Sequence, residues 1–172
     1  MAEHEKMVVC RDLDGREHRV PASHVSWRPS VYGIIVRNDE LLVCRHFGKF
    51  NLPGGGIEIG ETLEDGLLRE IKEETGIVAA RARLVAADSN LFKMPYERGF
   101  VQSVLLYYVC EAVGGELSID GFDAHERQYA ELAQWVPLST MATWQIASSN
   151  DWRPFAQMAL ELNKSQLKPK TH

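Results

Sequence analysis

Gly55-Gly-Ile-Glu-Ile-Gly-Glu61-Thr62-Leu-Glu-Asp65-Gly-Leu-Leu-Arg69-Glu70-Ile71-Lys-Glu73-Glu74-Thr-Gly76-Ile77 is the stretch that decides the fold. Thr62, followed three residues on by Asp65, is a capping pattern for a helix start, and Gly76 stands where a left-handed C-terminal cap is wanted. The spacing predicts a helix from about Thr62 to Thr75. Leu63, Leu67 and Ile71 fall four apart and form one apolar stripe, while Glu70, Glu73 and Glu74 share a neighbouring face at i, i+3 and i+4. Three glutamates in a helix suit a solvated face when taken alone. Beside a buried stripe, carboxylates that repel one another favour a cation between them. Hard oxygen ligands without His or Cys point to Mg2+ or Mn2+, and Mg2+ typically completes its shell with water and substrate phosphates.

Outward from this helix the chain reads as strands. Leu52-Pro-Gly-Gly-Gly56 is expected to stop a strand pattern made of Val31–Arg37 and Glu40–Arg45, which are separated by Asn38-Asp39. Met7–Arg11 and Arg16–Val20 flank Asp14-Gly15 and predict an N-terminal hairpin. Ile77 to about Ala87 and Phe100 to Val113 continue the sheet, with a polar loop expected over Asp88–Gly99 and a second over Asp120–Gln128. Ala133–Val136 forms a short strand ended by Pro137. Phe155, Met158, Ala159 and Leu162 recur at i, i+3, i+4 and i+7, the face of a C-terminal helix with Asp151 as its cap. The tail Lys164–His172 is expected to fray.

The 172 residues are 45% apolar and 25% charged, with a formal net charge of -5, which suits one packed domain and argues against general nucleic-acid binding. Val104–Cys110 is the longest apolar run, too short for a bilayer-spanning helix, and the mixed-charge N-terminus lacks a secretory pattern; a cytoplasmic location is expected. Cys10, Cys44 and Cys110, odd in number and each set in an apolar run, read as reduced, buried thiols.

The pattern Gly55-x5-Glu61-x7-Arg69-Glu70-Ile71-x-Glu73-Glu74-x-Gly76-Ile77 resembles the complete signature box of the Nudix hydrolases, with Leu52-Pro53-Gly54 before it and Trp135-Val-Pro-Leu138 after it also similar to family segments. The resemblance runs from about Pro29 to Leu138. It implies an α/β/α sandwich around a mixed sheet, with the N-terminal hairpin and C-terminal helix added: an extension over 1–28, a core over 29–138, and a helix and tail over 139–172. It implies a metal site of Glu70, Glu73, Glu74 and the backbone carbonyl of Gly55. Arg69 takes an orienting role, paired with Glu61, and Glu70, Glu126 and Glu131 are the candidates for general base, Glu126 also being the preferred extra ligand.

Arg45, at its strand end, is a candidate phosphate contact, and Tyr96 and Arg98 fall in the variable loop where relatives select substrate. His46 is expected to face solvent. Gly66 departs from the Ala common at its place in the family's helix. The implied activity is Mg2+- or Mn2+-dependent hydrolysis of a nucleoside diphosphate linked to another moiety: a nucleoside triphosphate, an ADP-ribose-like compound or a dinucleoside polyphosphate. The alternative is a non-catalytic nucleotide-binding regulatory domain. The partner is thus a phosphorylated nucleotide-type small molecule, and the exposed edge of the hairpin also suits a homodimer.

Overall fold

The computed structural model describes residues 5–95, 99–122, 124, 126–147 and 150–166. The elements run β1 (Met7–Arg11), β2 (Glu17–Pro21), β3 (Val25–Arg37), β4 (Glu40–His46), β5 (Lys49–Asn51), β6 (Gly54–Gly56), α1 (Leu63–Thr75), β7 (Ile77–Lys93), β8 (Phe100–Gly115), β9 (Ala130–Pro137) and α2 (Arg153–Gln166). The nine strands form one mixed sheet of order β2-β1-β7-β8-β3-β4-β5, with β6 added on β3 and β9 on β4. β3–β8 and β1–β7 are the parallel pairs. Among the described residues no helix is long and apolar enough to cross a membrane.

Strand alternation sends side chains to two cores. From β4, Leu41 and Val43 join Ile34, Leu52, Tyr107, Trp144, Trp152, Ala156 and Ala159 beneath α2. Leu42 and Cys44 join Val31, Ile35, Leu67, Ile71 and Ile77 beneath α1. The sheet is therefore covered on both faces, as expected. Leu67 and Ile71 are completely buried, each contributing about 1.5–3 kcal/mol of hydrophobic stabilisation.

Helix α1 ends where its residues dictate. The Thr62 hydroxyl accepts from the backbone N–H of Asp65 at 3.1 Å, and Gly76 adopts φ 77°, the left-handed cap that a side chain would resist. A Cβ on Gly76 would also lie 2.2 Å from the Glu116 carbonyl oxygen. The β3–β4 turn carries positive φ at both Asn38 and Asp39, the geometry of a tight hairpin.

Several expectations need correction. The segment Asp88–Lys93, expected as loop, continues β7 because β8 pairs with it from Ala87↔Leu106 to Lys93↔Phe100. Polar residues are accommodated there because their backbone groups are paired by β8. The Gly run does not stop the sheet: Gly54–Gly56 forms β6 and pairs with Tyr32, Val31 and Ser30 of β3. On α2 the buried stripe is Trp152, Ala156 and Ala159, with Phe155 partly buried, while Met158 is 43% exposed. The apolar face is rotated toward the smaller residues, which let the helix approach the sheet. The side chain of Leu162 lies outside the described residues. Asp151 does serve the helix start, accepting from the Arg153 N–H at 3.0 Å. All three cysteines are buried and none is in a disulfide.

Candidate active site

β3 and β4 pair only at their hairpin end, through Val36↔Leu41 and Arg37↔Glu40. Beyond it β3 pairs with β6 and β8, and β4 with β5 and β9. Near this divergence lies a cleft of about 530 Å3, lined by Glu70, Glu73 and Glu74 of α1, Gly54 and Gly55 of β6, and Arg28 and Tyr32 of β3, among others. The hairpin turn supplies Leu13, and β7 and the residues after it supply Asn90, Phe92, Met94 and Pro95.

The three glutamates are held in different ways. Arg69 donates through Nε and Nη2 to the two oxygens of Glu61, at 2.6 and 2.9 Å, and through Nη1 to Glu70 and Glu73, each at 3.0 Å. Its Nη2 also reaches the Gly56 carbonyl at 3.3 Å. The guanidinium thus bridges three carboxylates and the glycine strand, and Glu61, which also accepts from the Glu58 N–H, is lowered to about 2 chiefly by its hydrogen bond to Arg69. Glu70 moves the other way: burial raises its carboxyl above the ordinary range, with Arg69 and Arg28 opposing the shift. Glu73 is the most open of the three, with 46% of its side chain exposed.

Glu74 is buried beneath the strand. Its Oε2 accepts from the Gly54 N–H at 2.8 Å and from the Cys44 thiol at 3.5 Å. Its Oε1 lies 3.5 Å from His46 Nε2. Burial pushes the His46 imidazole down to about 4, so at neutral pH the ring is an uncharged polar neighbour. His46 lines the cleft and packs edge to face on Tyr129, whose ring stacks on Phe47 at 4.9 Å. The expectation that His46 faces solvent is corrected: strand alternation places it with Cys44 on the α1 side.

The same alternation corrects Arg45. It projects to the opposite side of β4, over the Phe50 ring, and donates to the Gly48 carbonyl at 2.7 Å. It is not among the cleft-lining residues, and Glu131, 3.8 Å from it, goes with it. Tyr96, Arg98 and the side chain of Glu126 lie outside the described residues; the backbone of Glu126 begins a short 3-10 turn ahead of β9. Gly66 packs beside Ile57 and Glu61, where a Cβ would lie 2.5 Å from the tip of the Ile57 side chain.

Arg28 and Tyr32 are among the cleft residues that escaped the sequence reading. Arg28 precedes Pro29 without any motif to mark it, and Tyr32 read as one more strand residue. Tyr32 stacks on Tyr107 at 5.6 Å, and burial raises its phenol.

Among the described residues no three His, Cys, Asp or Glu groups already converge as a cation cage. The reason is visible in the pairing, since Arg69 spans Glu70 and Glu73 while the Gly54 N–H holds Glu74. The donor chemistry nevertheless fits a hard divalent ion, because the carboxylates of Glu70, Glu73 and Glu74 and the backbone of Gly54 and Gly55 line one cleft. The close approach is built in, for a Cβ on Gly55 would stand 2.6 Å from the Glu70 carboxylate.

Comparison with known proteins finds relatives of this chain. An ADP-ribose pyrophosphatase of Methanocaldococcus jannaschii is 37% identical over 108 residues, 60% of this chain and 61% of that protein. The NAD-capped RNA hydrolase NudC of Escherichia coli O1:K1 / APEC is 31% identical over 121 residues, 66% of this chain and 44% of that protein. This chain thus spans less than two thirds of the length of either relative. A crystal structure titled ADP compounds hydrolase superposes with a TM-score of 0.62 at 18% identity, covering 90% of this chain and 82% of that one, a likeness of fold. The model of the NUDIX domain matches residues 27–157, a span that takes in the glycine strand, the acidic helix and the sheet holding them. With the box complete and that model matched over most of the chain, the chain belongs to the NUDIX domain family.

Proposed function

We propose that this chain is a divalent-cation-dependent pyrophosphohydrolase that cleaves a nucleoside diphosphate linked to another moiety. The observation that carries the reading is the meeting of Glu70, Glu73 and Glu74 with the Gly54–Gly56 strand at the wall of one cleft. Glu70, Glu73, Glu74 and the Gly55 carbonyl would hold Mg2+ or Mn2+, which when bound offsets charge on the diphosphate oxygens. ADP-ribose is the first substrate to test, since a relative sharing 37% identity is named for it; nucleoside triphosphates and dinucleoside polyphosphates complete the class.

The chain's own residues set up the attack of water on phosphorus. Glu61 holds Arg69, and Arg69 fixes the rotamers of Glu70 and Glu73 from behind. The Gly54 N–H orients Glu74, while the missing Cβ of Gly55 admits the Glu70 carboxylate to the cleft wall. Of the candidate bases, Glu70 is the one placed in the cleft among the described side chains. It takes the proton of the attacking water as the new P–O bond forms, and the bridging P–O bond breaks to release a phosphorylated product. The regulatory alternative loses ground because every box residue is present and engaged.

The test is release of nucleoside monophosphate or phosphate from ADP-ribose, nucleotide sugars, nucleoside triphosphates and dinucleoside polyphosphates, with Mg2+, with Mn2+ and with chelator. Chelator-sensitive turnover of one class is expected. Glu73→Gln should lower it by at least about 10^2-fold with the fold unchanged, because this side chain is half exposed and outside the core. Nucleotide binding without turnover across the panel would establish the regulatory alternative, and wild-type rates in Glu73→Gln would overturn the proposed site.

A further inference from the structure

We propose that Arg28 is a phosphate-binding residue of the cleft, gripping phosphoryl oxygens of the substrate beside the carboxylate wall; the proposal rests on the pyrophosphohydrolase reading and names the side chain that reads its anion. Two arginines line the cleft, Arg28 and Arg69. Arg69 is consumed within the box, its donors directed to Glu61, Glu70, Glu73 and the Gly56 carbonyl. Among the described residues Arg28 has no carboxylate within ion-pair distance. Its Nη1 donates at 2.7 Å to the hydroxyl of Ser30, which is fully buried, and its charge acts on the neighbouring Tyr32 phenol and the Glu70 carboxyl.

A guanidinium offers five N–H donors in a planar fork suited to two oxygens of one phosphoryl group. Ser30 and the Tyr32 hydroxyl fix the orientation, and five donors leave others for an incoming anion. The backbone opposite makes room for that posture. A Cβ on Gly56 would stand 2.8 Å from Arg28 Nη2 and 3.0 Å from Cζ, so the glycine strand that admits Glu70 at Gly55 admits the guanidinium one residue later. An acidic cleft otherwise repels a diphosphate, and a cation from β3 lining the same cleft offsets that repulsion. Arg45, the expected phosphate contact, projects away from the cleft on β4, which leaves this task to Arg28.

The experiment compares full-length wild type, Arg28→Gln and Arg28→Lys. Inorganic pyrophosphate binding with Mg2+ is followed by titration calorimetry, ADP-ribose hydrolysis by steady-state kinetics, and melting temperature is recorded for each. Arg28→Gln should weaken pyrophosphate binding and raise KM by about tenfold or more, with kcat changed less. Arg28→Lys should recover part of the loss by keeping charge without the fork. Both are expected to melt close to wild type. Should Arg28→Gln fail to fold, Arg28→Lys carries the test through a rise in KM of at least about threefold.

Unchanged pyrophosphate affinity and KM in a folded variant would overturn the inference while leaving the hydrolase reading intact. Pyrophosphate binding that depends on Arg28, with no turnover of any nucleotide by wild type, would do the reverse. A wild type that neither binds pyrophosphate nor turns over nucleotide would overturn both.

Discussion

Placing a methyl group on Gly55 perturbs the site at one point. Its ideal position is 2.6 Å from Oε2 and from the carboxyl carbon of Glu70 and 2.7 Å from Oε1, with no main-chain atom among the nearest neighbours. The carboxylate is the end of a flexible side chain, so Gly55→Ala is accommodated by its retreat rather than by unfolding. Restoring ordinary contact takes a shift of roughly 1 Å, and a misplacement of that size at a reacting centre costs about 10^2-fold. The shift also strains the 3.0 Å bond from Arg69 to Glu70. We expect Gly55→Ala to lower kcat/KM for ADP-ribose by about 10^2-fold, near 2.7 kcal/mol of transition-state stabilisation, with a melting temperature close to wild type. Gly54→Ala is the contrasting control, since its Cβ would lie 2.1 Å from the Val31 carbonyl oxygen at a φ of 144°. That collision is with backbone and should be read as lost stability. A Gly55→Ala enzyme with activity within about threefold of wild type would refute the idea that the gap beside Glu70 serves catalysis.

Two further outcomes test the scaffold. Leu67→Ala, at a fully buried position beneath α1, should lower the free energy of urea unfolding by about 2–5 kcal/mol. The Glu61–Arg69 pair gives a pH dependence with a definite sign: the folded carboxyl lies at about 2 against an ordinary 4.5, so its stabilisation is present above 4.5 and is lost as pH falls toward 2. The melting-temperature difference between wild type and Glu61→Gln should therefore narrow across that window, and a constant difference would show that the pair is not the source.

Much of α1 was legible because its determinants are local. Thr62, the Leu67 and Ile71 stripe, the three glutamates and Gly76 each act within a turn or two, so their spacing carries the helix, its buried face and its acidic edge. The hairpins at Asp14-Gly15 and Asn38-Asp39 were legible for the same reason. What escaped depends on partners outside the segment itself. Asp88–Lys93 is strand because β8 lies beside it, and Gly54–Gly56 is strand because β3 does. Neighbouring residues on a strand face opposite ways, so Arg45 and His46 exchanged their expected roles once the α1 side of β4 was known. Arg28 stood in no motif, and its importance comes from the residues folded around it. On α2 the pattern marked the helix but misplaced its buried stripe, because Trp152 and two alanines pack closer than Met158 can.

The N-terminal hairpin carries a last consequence. The family match begins at residue 27, yet Leu13, in the turn between β1 and β2, lines the cleft. That turn is moored across the opening by Lys49, which donates to the Leu13 carbonyl at 3.2 Å and lies 3.7 Å from the Asp14 carboxylate. Trimming the chain to its recognisable domain would preserve the acidic helix and the glycine strand while removing one side of the vessel in which they work. A substrate profile measured on the shortened chain would describe a wider, differently shaped enclosure, so any screen for the preferred nucleotide should begin with the hairpin in place.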